Sequence, residues 1–298
     1  MGPFDFSGLW VPLVTPFRDG RVDEAALCRL VRHLGEAGVK GFVVCGSTGE
    51  AASLSHAEQL AVLDAVVSAC DEKPVLMGLA GTQSDEMLSR LRDMARRRLA
   101  GVLVSAPFYL RPSQTGIVAH FRALADASPV PIALYDIPAR TGAQMALGTI
   151  LTLAGHPNIR ALKDCGGDAK KTRSLIADGR LAVLAGDDDG IFVTLCMGGA
   201  GAIAASAHVL PECFVAMVAA LRAGRLTEAR HLYHALTPLT EALFAEPNPS
   251  VFKAVLAQQG WIANELRDPH SPATPSGVQR AMEALESVQP ALRQTITL

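Results

Sequence analysis

The chain has 298 residues, 49% hydrophobic and 19% charged, with 27 basic and 29 acidic side chains for a formal net charge of −2. That composition supplies ample apolar material for a large core and gives no electrostatic footprint for nucleic acid or an anionic membrane surface. No apolar run approaches the ~18 residues of a membrane span and Met1 to Leu9 lack the charged and apolar regions of a secretory signal, so a cytoplasmic protein is expected.

The chain alternates strand and helix patterns. Trp10-Val11-Pro12-Leu13-Val14-Thr15 is a first apolar run, closed by Pro16 and a polar turn at Asp19-Gly20. Leu27, Leu30, Val31 and Leu34 fall at i, i+3, i+4 and i+7, which predicts a helix from near Asp23. Phe42-Val43-Val44-Cys45 makes a second strand, and Ser55 with Glu58 has the capping-box spacing that opens a helix with the stripe Leu60, Leu63 and Val67. Val75-Leu76-Met77 is a third strand, followed by a helix lined by Leu88, Leu91 and Ala95. Val102-Leu103-Val104 is a fourth, followed by a helix over 114–127. Ile132-Ala133-Leu134-Tyr135 is a fifth, with a helix over 145–153. Ile159-Arg160-Ala161-Leu162 runs into Lys163 as the sixth, ended by Gly166-Gly167, with Asp168 placed to cap the next helix. Residues 181–185 form the seventh, with a helix over 190–197, and Ala202-Ile203-Ala204 the eighth. Past Pro211 the strands stop, and helices are predicted over 214–221, 226–244, 251–259 and 277–285.

Eight strands alternating with helices in units of about 25 residues imply parallel pairing through right-handed crossovers. The expected fold class is α/β, a closed (β/α)8 TIM barrel with a C-terminal α-helical extension. An open doubly wound sheet is the rival, weakened because no close glycine-rich dinucleotide fingerprint follows a strand. The expected division is a barrel over 1–224 carrying the active site and a helical region over 225–298, with Glu246-Pro247-Asn248-Pro249 as a joint within it.

A lysine ending a buried strand is unusual. Desolvation of Lys163 is expected to lower its pKa and yield a nucleophilic amine, against the plainer reading that it bends to solvent or pairs with Asp164. Chemistry in a parallel barrel collects at the carboxyl ends of the strands. There the sequence places Gly46-Ser47-Thr48-Gly49-Glu50 after the second strand, Pro107-Phe108-Tyr109 after the fourth and Tyr135 at the end of the fifth, followed by Arg140. Lys163 follows the sixth, Gly186-Asp187-Asp188 the seventh and Ser206 the eighth. An amine, two phenols, hydroxyls and a guanidinium at one mouth suit carbonyl chemistry on a carboxylated substrate. Residues 46–49 read equally as a simple turn or as a nest of backbone N–H groups for a carboxylate. Tyr109 and Tyr135 read as core tyrosines or as site phenols, and Arg140 as a surface arginine or a bidentate carboxylate grip. Asp187-Asp188-Asp189 is expected to cap a helix, with no His or Cys beside it to make a metal site. The six cysteines show no CxxC spacing and read as reduced core residues, Cys165 lying nearest the chemistry.

The set Gly46-Ser47-Thr48-Gly49-Glu50, Tyr135-Asp136-Ile137-Pro138-Ala139-Arg140-Thr141-Gly142, Leu162-Lys163-Asp164 and Gly186-Asp187-Asp188 resembles the dihydrodipicolinate synthase/N-acetylneuraminate lyase family, from about Leu9 nearly to the C-terminus. The resemblance implies a (β/α)8 barrel with C-terminal helices, commonly tetrameric, that binds pyruvate or another 2-keto acid as a lysine Schiff base. It implies Lys163 as that lysine, Tyr135 as proton donor and acceptor near the imine, and Ser47 as a relay to Tyr109. Tyr109's counterpart in the synthases reaches in from a neighbouring subunit, so the relay needs at least a dimer. Thr48 with backbone N–H groups would hold the pyruvate carboxylate, and the Ile203 carbonyl would face the substrate.

Within the family, Pro107-Phe108-Tyr109-Leu110-Arg111-Pro112-Ser113-Gln114 and Arg140 resemble the synthase branch, whose members condense pyruvate with aspartate-semialdehyde, Arg140 receiving the aldehyde's carboxylate. Ser47 stands where synthases usually have threonine. A second reading is therefore an aldolase or dehydratase of the same family, acting on a sugar-derived 2-keto acid, a sialic acid or hydroxy-oxoglutarate. A third is a catalytically silent barrel used for ligand sensing or assembly. The implied reaction needs no metal or organic cofactor. The expected partners are pyruvate, a small aldehyde and further copies of the chain as a dimer or tetramer, with neither nucleic acid nor membrane.

Overall fold

Strands buried on both faces need apolar residues throughout rather than in alternation, and the short apolar runs of this chain meet that need. In the computed structural model, which describes residues 4–295 and side chains through residue 288, they form eight strands. These are β1 (Gly8–Pro12), β2 (Gly41–Val44), β3 (Val75–Leu79), β4 (Gly101–Ser105), β5 (Ile132–Asp136), β6 (Ile159–Asp164), β7 (Ala182–Ala185) and β8 (Gly201–Ile203). They lie in a closed barrel in the order β1–β8–β7–β6–β5–β4–β3–β2, which is the expected fold class and not the open sheet. A separate antiparallel hairpin pairs Phe17–Arg18 with Arg21–Val22.

The helices are α1 (Glu24–Glu36), α2 (His56–Ala69), α3 (Ser84–Met94), α4 (Gln114–Ala127), α5 (Pro138–Thr141), α6 (Leu147–Leu153), α7 (Ala169–Asp178), α8 (Ile191–Cys196), α9 (Pro211–Arg222), α10 (Leu226–Leu243), α11 (Ser250–Gln258) and α12 (Pro275–Thr295). Their starts follow from local chemistry. The Asp23 carboxylate accepts from the Ala26 N–H, Ser55 and Glu58 form the capping box, Ser113 accepts from Gly116, and Asp168 accepts from Lys170 and Lys171.

Two compact units divide the chain by contact, and each is interleaved in sequence. One comprises the chain up to Gly8 with Pro74–Ile203, and so carries β3 to β8 and α3 to α8. Its core includes Phe6, Met77, Leu103, Phe121, Leu134 and Leu162. The other comprises Leu9–Lys73 and the chain from Ala204 onward, in which α9 to α12 share a unit with α1 and α2. Its core includes Trp10, Phe17, Leu30, Phe42, Phe214 and Phe252.

The α1 stripe is buried as spaced, whereas two others are shifted. In α2 the buried face is Gln59, Val62, Leu63 and Val66, with Leu60 and Val67 half-buried. That helix is apolar around most of its circumference, so spacing alone does not select a face. Gln59 turns inward because its amide donates to the Ala51 and Leu54 carbonyls. In α3 Met87, Leu91 and Met94 are buried in place of Leu88 and Ala95, the unbranched methionines filling the deeper positions. The helix expected from Met145 begins at Leu147, because the Met145 N–H is taken by the Asp136 carboxylate.

Candidate active site

Parallel register decides which side chains meet at the ends of β5 and β6. Tyr135 lies opposite Lys163, and Asp136 opposite Asp164. Side chains alternate along a strand, so the first pair shares one face and the second the other. On the first face Lys163 is 6% exposed and Tyr135 8% exposed, and the Lys163 Nζ sits 4.5 Å from the centroid of the Tyr135 ring. Register adds Ser105 of β4 beside Tyr135 and Leu184 of β7 beside Lys163.

On the opposite face Asp136 and Asp164 meet Lys171, a residue of α7 that the sequence reading missed. The Lys171 ammonium, 4% exposed, pairs with Asp136 and lies 3.8 Å from Asp164. Asp164 also accepts from the Thr172 hydroxyl at 2.6 Å and the Gly166 N–H at 3.0 Å. Burial pushes the Asp136 carboxyl upward, opposed by Lys171 and the Met145 N–H. The plainer reading of Lys163, a pair with Asp164, does not hold, because Asp164 is turned to this other network. Nothing in spacing separates Lys171 from its exposed neighbour Lys170; only the fold does.

Cys165 is folded against the same site. A Cβ at Gly186 would lie 2.3 Å from the Cys165 Sγ and 2.9 Å from the Lys163 Cγ, so glycine there makes room for both. Burial holds the Cys165 thiol far above the ordinary range, and the neighbouring Asp187 carboxylate pushes the same way, against the charge of Lys163. Burial also raises Asp187, against the Cys165 bond and the charge of Lys163. Asp187 does not cap the short helix that follows, because its side chain makes no cap hydrogen bond there.

The expected direction of the Lys163 pKa is also corrected. Burial does work against the ammonium, but Tyr135 first, then Cys165 and Asp188, outweigh it, and the net shift is upward. Lys163 thus rests protonated at neutral pH and must shed a proton before it attacks a carbonyl.

The loop that carries Tyr109 adjoins the end of α5, which carries Arg140. The Tyr109 N–H donates to the Thr141 carbonyl at 3.1 Å, and the Arg111 Nε would lie 3.2 Å from a Cβ at Gly142, whose φ of +69° favours glycine. Arg140 is exposed on α5, and the Tyr109 side chain is 88% exposed, with a backbone φ of 67°. Within one chain Tyr109 is therefore not a buried companion of Tyr135. Ile203 ends β8 and is buried.

Ser47 and Thr48 sit in the second unit, on the turn after β2. The Gly49 and Glu50 amides close that turn onto the Gly46 and Ser47 carbonyls, while the Ser47 and Thr48 amides have no hydrogen-bond partner among the described residues. Free adjacent N–H groups are what a carboxylate nest requires. The loop is held from three sides. Thr15 donates to the Gly49 carbonyl at 2.7 Å, Asn248 donates to the Thr48 hydroxyl at 3.1 Å, and Lys253 pairs with Glu50. Lys253 is fully buried, donates also to the Glu265 carbonyl at 2.8 Å, and lies 4.1 Å from the Phe17 ring centroid. Burial lowers its pKa, and Glu50 opposes that. Neither Asn248 nor Lys253 was selected from the sequence; the Pro-flanked asparagine carried the only signal, read as a joint.

Among the described residues no group of three or more His, Cys, Asp or Glu side chains is arranged to hold a metal ion, and no helix is long and apolar enough to cross a membrane. The profile of the dihydrodipicolinate synthetase family matches residues 5–288. Among curated proteins, the 4-hydroxy-tetrahydrodipicolinate synthase of Haloarcula marismortui is 38% identical over 273 residues, covering 90% of this chain and 89% of that protein. The synthase of Syntrophus aciditrophicus is 38% identical over 267 residues, covering 89% and 92%. Among solved structures, the synthase of Methylacidiphilum fumariolicum superposes with a TM-score of 0.94 at 29% identity, covering 98% of this chain and 99% of that one. The Acinetobacter baumannii enzyme complexed with pyruvate gives 0.92 at 30% identity, covering 95% and 98%.

Proposed function

The chain belongs to the dihydrodipicolinate synthetase family, and from that premise we propose that it condenses pyruvate with aspartate-semialdehyde to 4-hydroxy-tetrahydrodipicolinate through a Schiff base on Lys163. The observation that carries the site assignment is the buried Lys163 amine over the Tyr135 ring, with no carboxylate in salt-bridge contact among the described residues. A buried amine not clamped by a contacting carboxylate can turn to covalent chemistry once deprotonated.

In the proposed sequence Lys163 loses its proton and attacks the pyruvate ketone, and loss of water leaves an iminium that acts as an electron sink. Tyr135 mediates the proton transfers at that centre, including removal of a methyl proton to give the enamine. The enamine carbon attacks the aldehyde carbon, and ring closure through the substrate's own amine expels Lys163. Thr48 and the free amides of the loop after β2 hold the pyruvate carboxylate, the Ile203 carbonyl faces the substrate, and Arg140 receives the carboxylate of the aldehyde. Ser47 passes protons on to Tyr109. An exposed Tyr109 on a loop with positive φ fits a residue that acts in a neighbouring copy, so we place the complete relay in a homo-oligomer.

Incubation with pyruvate and borohydride, followed by intact mass and peptide mapping, tests the chemistry: one adduct on Lys163 is expected, and its absence would end the Schiff-base assignment. Because Lys163 rests protonated, the trapping rate at fixed pyruvate should rise with pH through the neutral range. Kinetics against a panel of aldehydes test the second substrate. Aspartate-semialdehyde should be preferred, and Arg140→Ala should weaken that preference; an uncharged aldehyde favoured equally by both proteins would overturn it.

A further inference from the structure

We propose that Asn248 is a positioning residue for the keto-acid carboxylate and acts through the Thr48 hydroxyl. The inference rests on the role given to Thr48 above and extends it to the segment before α11. Thr48 is buried, and its Oγ1 accepts from the Asn248 Nδ2 at 3.1 Å. A threonine hydroxyl has one proton to give and two lone pairs. With one lone pair taken by the amide, the proton is directed to another acceptor, and none among the described residues receives it. Together with the free Ser47 and Thr48 amides, the loop then presents three donors to a ligand, a set that suits a carboxylate.

The direction of the Asn248 amide decides the sign of that site. Turned round, its oxygen would take the Thr48 proton, and the hydroxyl would meet a carboxylate with a lone pair. In the observed direction the Asn248 Oδ1 is buried without a hydrogen-bond partner. The Nδ2–Oγ1 contact is supported by the segment that carries Asn248 and by no bond to the Oδ1. That segment is well anchored: the Ser250 N–H donates to the Pro247 carbonyl at 2.9 Å, and the Ser250 hydroxyl donates to the Ser271 carbonyl at 2.7 Å. One helical turn on, Lys253 grips Glu50 of the same loop.

The test reads the pyruvate concentration that gives half-maximal borohydride trapping on Lys163 in the full chain, which needs no second substrate. Asn248→Ala should raise it about tenfold, the equivalent of one hydrogen bond of about 1.4 kcal/mol, while saturating pyruvate still traps the protein fully. Asn248→Asp should raise it further, because a carboxylate accepts the Thr48 proton and repels the ligand. In a Thr48→Val background, removing Asn248 should change it by less than about twofold, since the residue through which it acts is gone. A structural role would instead give additive losses and a lowered Tm in both backgrounds, and that result overturns the inference, as does an unchanged half-saturation in Asn248→Asp. The aspartate variant is isosteric and decides the matter if the alanine variant does not fold. If the unaltered protein forms no adduct, the functional reading fails and this inference with it. An adduct that forms normally in every variant overturns the inference alone.

Discussion

Lys163 and Lys171 lie on one strand and on the helix that follows it, and both are nearly lost to solvent, yet the structure gives them opposite employment. Lys171 is clamped between Asp136 and Asp164. Lys163 meets an aromatic ring and no carboxylate in salt-bridge contact among the described residues. In the second unit Lys253, the most buried of the three, repeats the Lys171 pattern with Glu50. Burial therefore does not mark a reactive lysine. What separates them is the partner: Lys171 and Lys253 each contact a carboxylate as braces, while the proposed Schiff-base lysine has none in salt-bridge contact among the described residues. Each brace also adjoins a segment to which the proposed function assigns a role. Asp136 and Asp164 follow Tyr135 and Lys163 in sequence, and Glu50 closes the loop that carries Ser47 and Thr48.

The comparison breaks most sharply by removing each lysine. Lys163→Met should abolish the pyruvate adduct and lower activity by roughly 10⁴-fold or more, the scale expected when a covalent nucleophile is lost, with thermal melting close to that of the parent. Lys171→Met should do the reverse. It leaves buried carboxylates uncompensated, at about 3–5 kcal/mol of stability in chemical denaturation. Adding Asp136→Asn should recover much of that loss, because the remaining group is then neutral. If Lys171→Met proved as stable as the parent, the brace reading would be wrong. Lys253→Met with Glu50→Gln makes the same pair of measurements in the other unit, and there the single variant should also weaken pyruvate trapping through the loop it releases.

The same contrast explains what could be read in advance. Alternation of strand and helix patterns delivered the barrel, because strands buried on both faces leave uninterrupted apolar runs. Lys163, Tyr135, Ser47, Thr48 and Arg140 stood out because strand ends in such a barrel share one face. Lys171 and Lys253 did not. Each looks like an ordinary helical lysine, and each meets its carboxylate only through tertiary packing, Lys253 across more than half the chain. The upward pKa of Lys163 was likewise hidden, since desolvation is legible from burial while the opposing influence of Tyr135, Cys165 and Asp188 depends on which neighbours the register supplies. Asn248 was visible only as part of a Pro-rich joint.

Buried bases extend the comparison to lower pH. His208 is fully buried, accepts from the Val14 N–H at Nε2 and donates from Nδ1 to the Ala205 carbonyl, and burial holds its pKa down to about 4. The unfolded chain takes up a proton near pH 6.5, before the folded one does. Stability is therefore fully present above about pH 6.5 and is lost as the pH falls toward 4, by about 3 kcal/mol across that window. Urea titrations at stepped pH should show this slope, and His208→Gln should flatten it. An unchanged slope in the variant would place the loss in the carboxylates instead.

The smallest effect belongs to a pair that looks like the braces but is half open to solvent. Arg267 reaches both oxygens of Glu58, at 2.5 and 3.0 Å, while Glu58 also accepts the Ser55 N–H at 2.8 Å as the far half of the capping box. A local helix signal in the sequence is thereby also the anchor of a long-range contact. Arg267 and the Ser55 N–H hold the Glu58 carboxyl down at about 2. Its contribution is present above the ordinary glutamate range near pH 4.5 and disappears as the pH falls through about 2. With the side chains 21% and 33% exposed, solvent screens the pair. Arg267→Met should then cost no more than about 1 kcal/mol, and Glu58→Ala about 1 kcal/mol more because the cap is lost as well. Added salt should weaken this pair and leave Lys171 and Lys253 almost untouched, since buried charges are screened far less. A salt-sensitive Lys253 pair would mean that water reaches the loop behind Thr48, and the distinction between brace and surface bridge would fall with it.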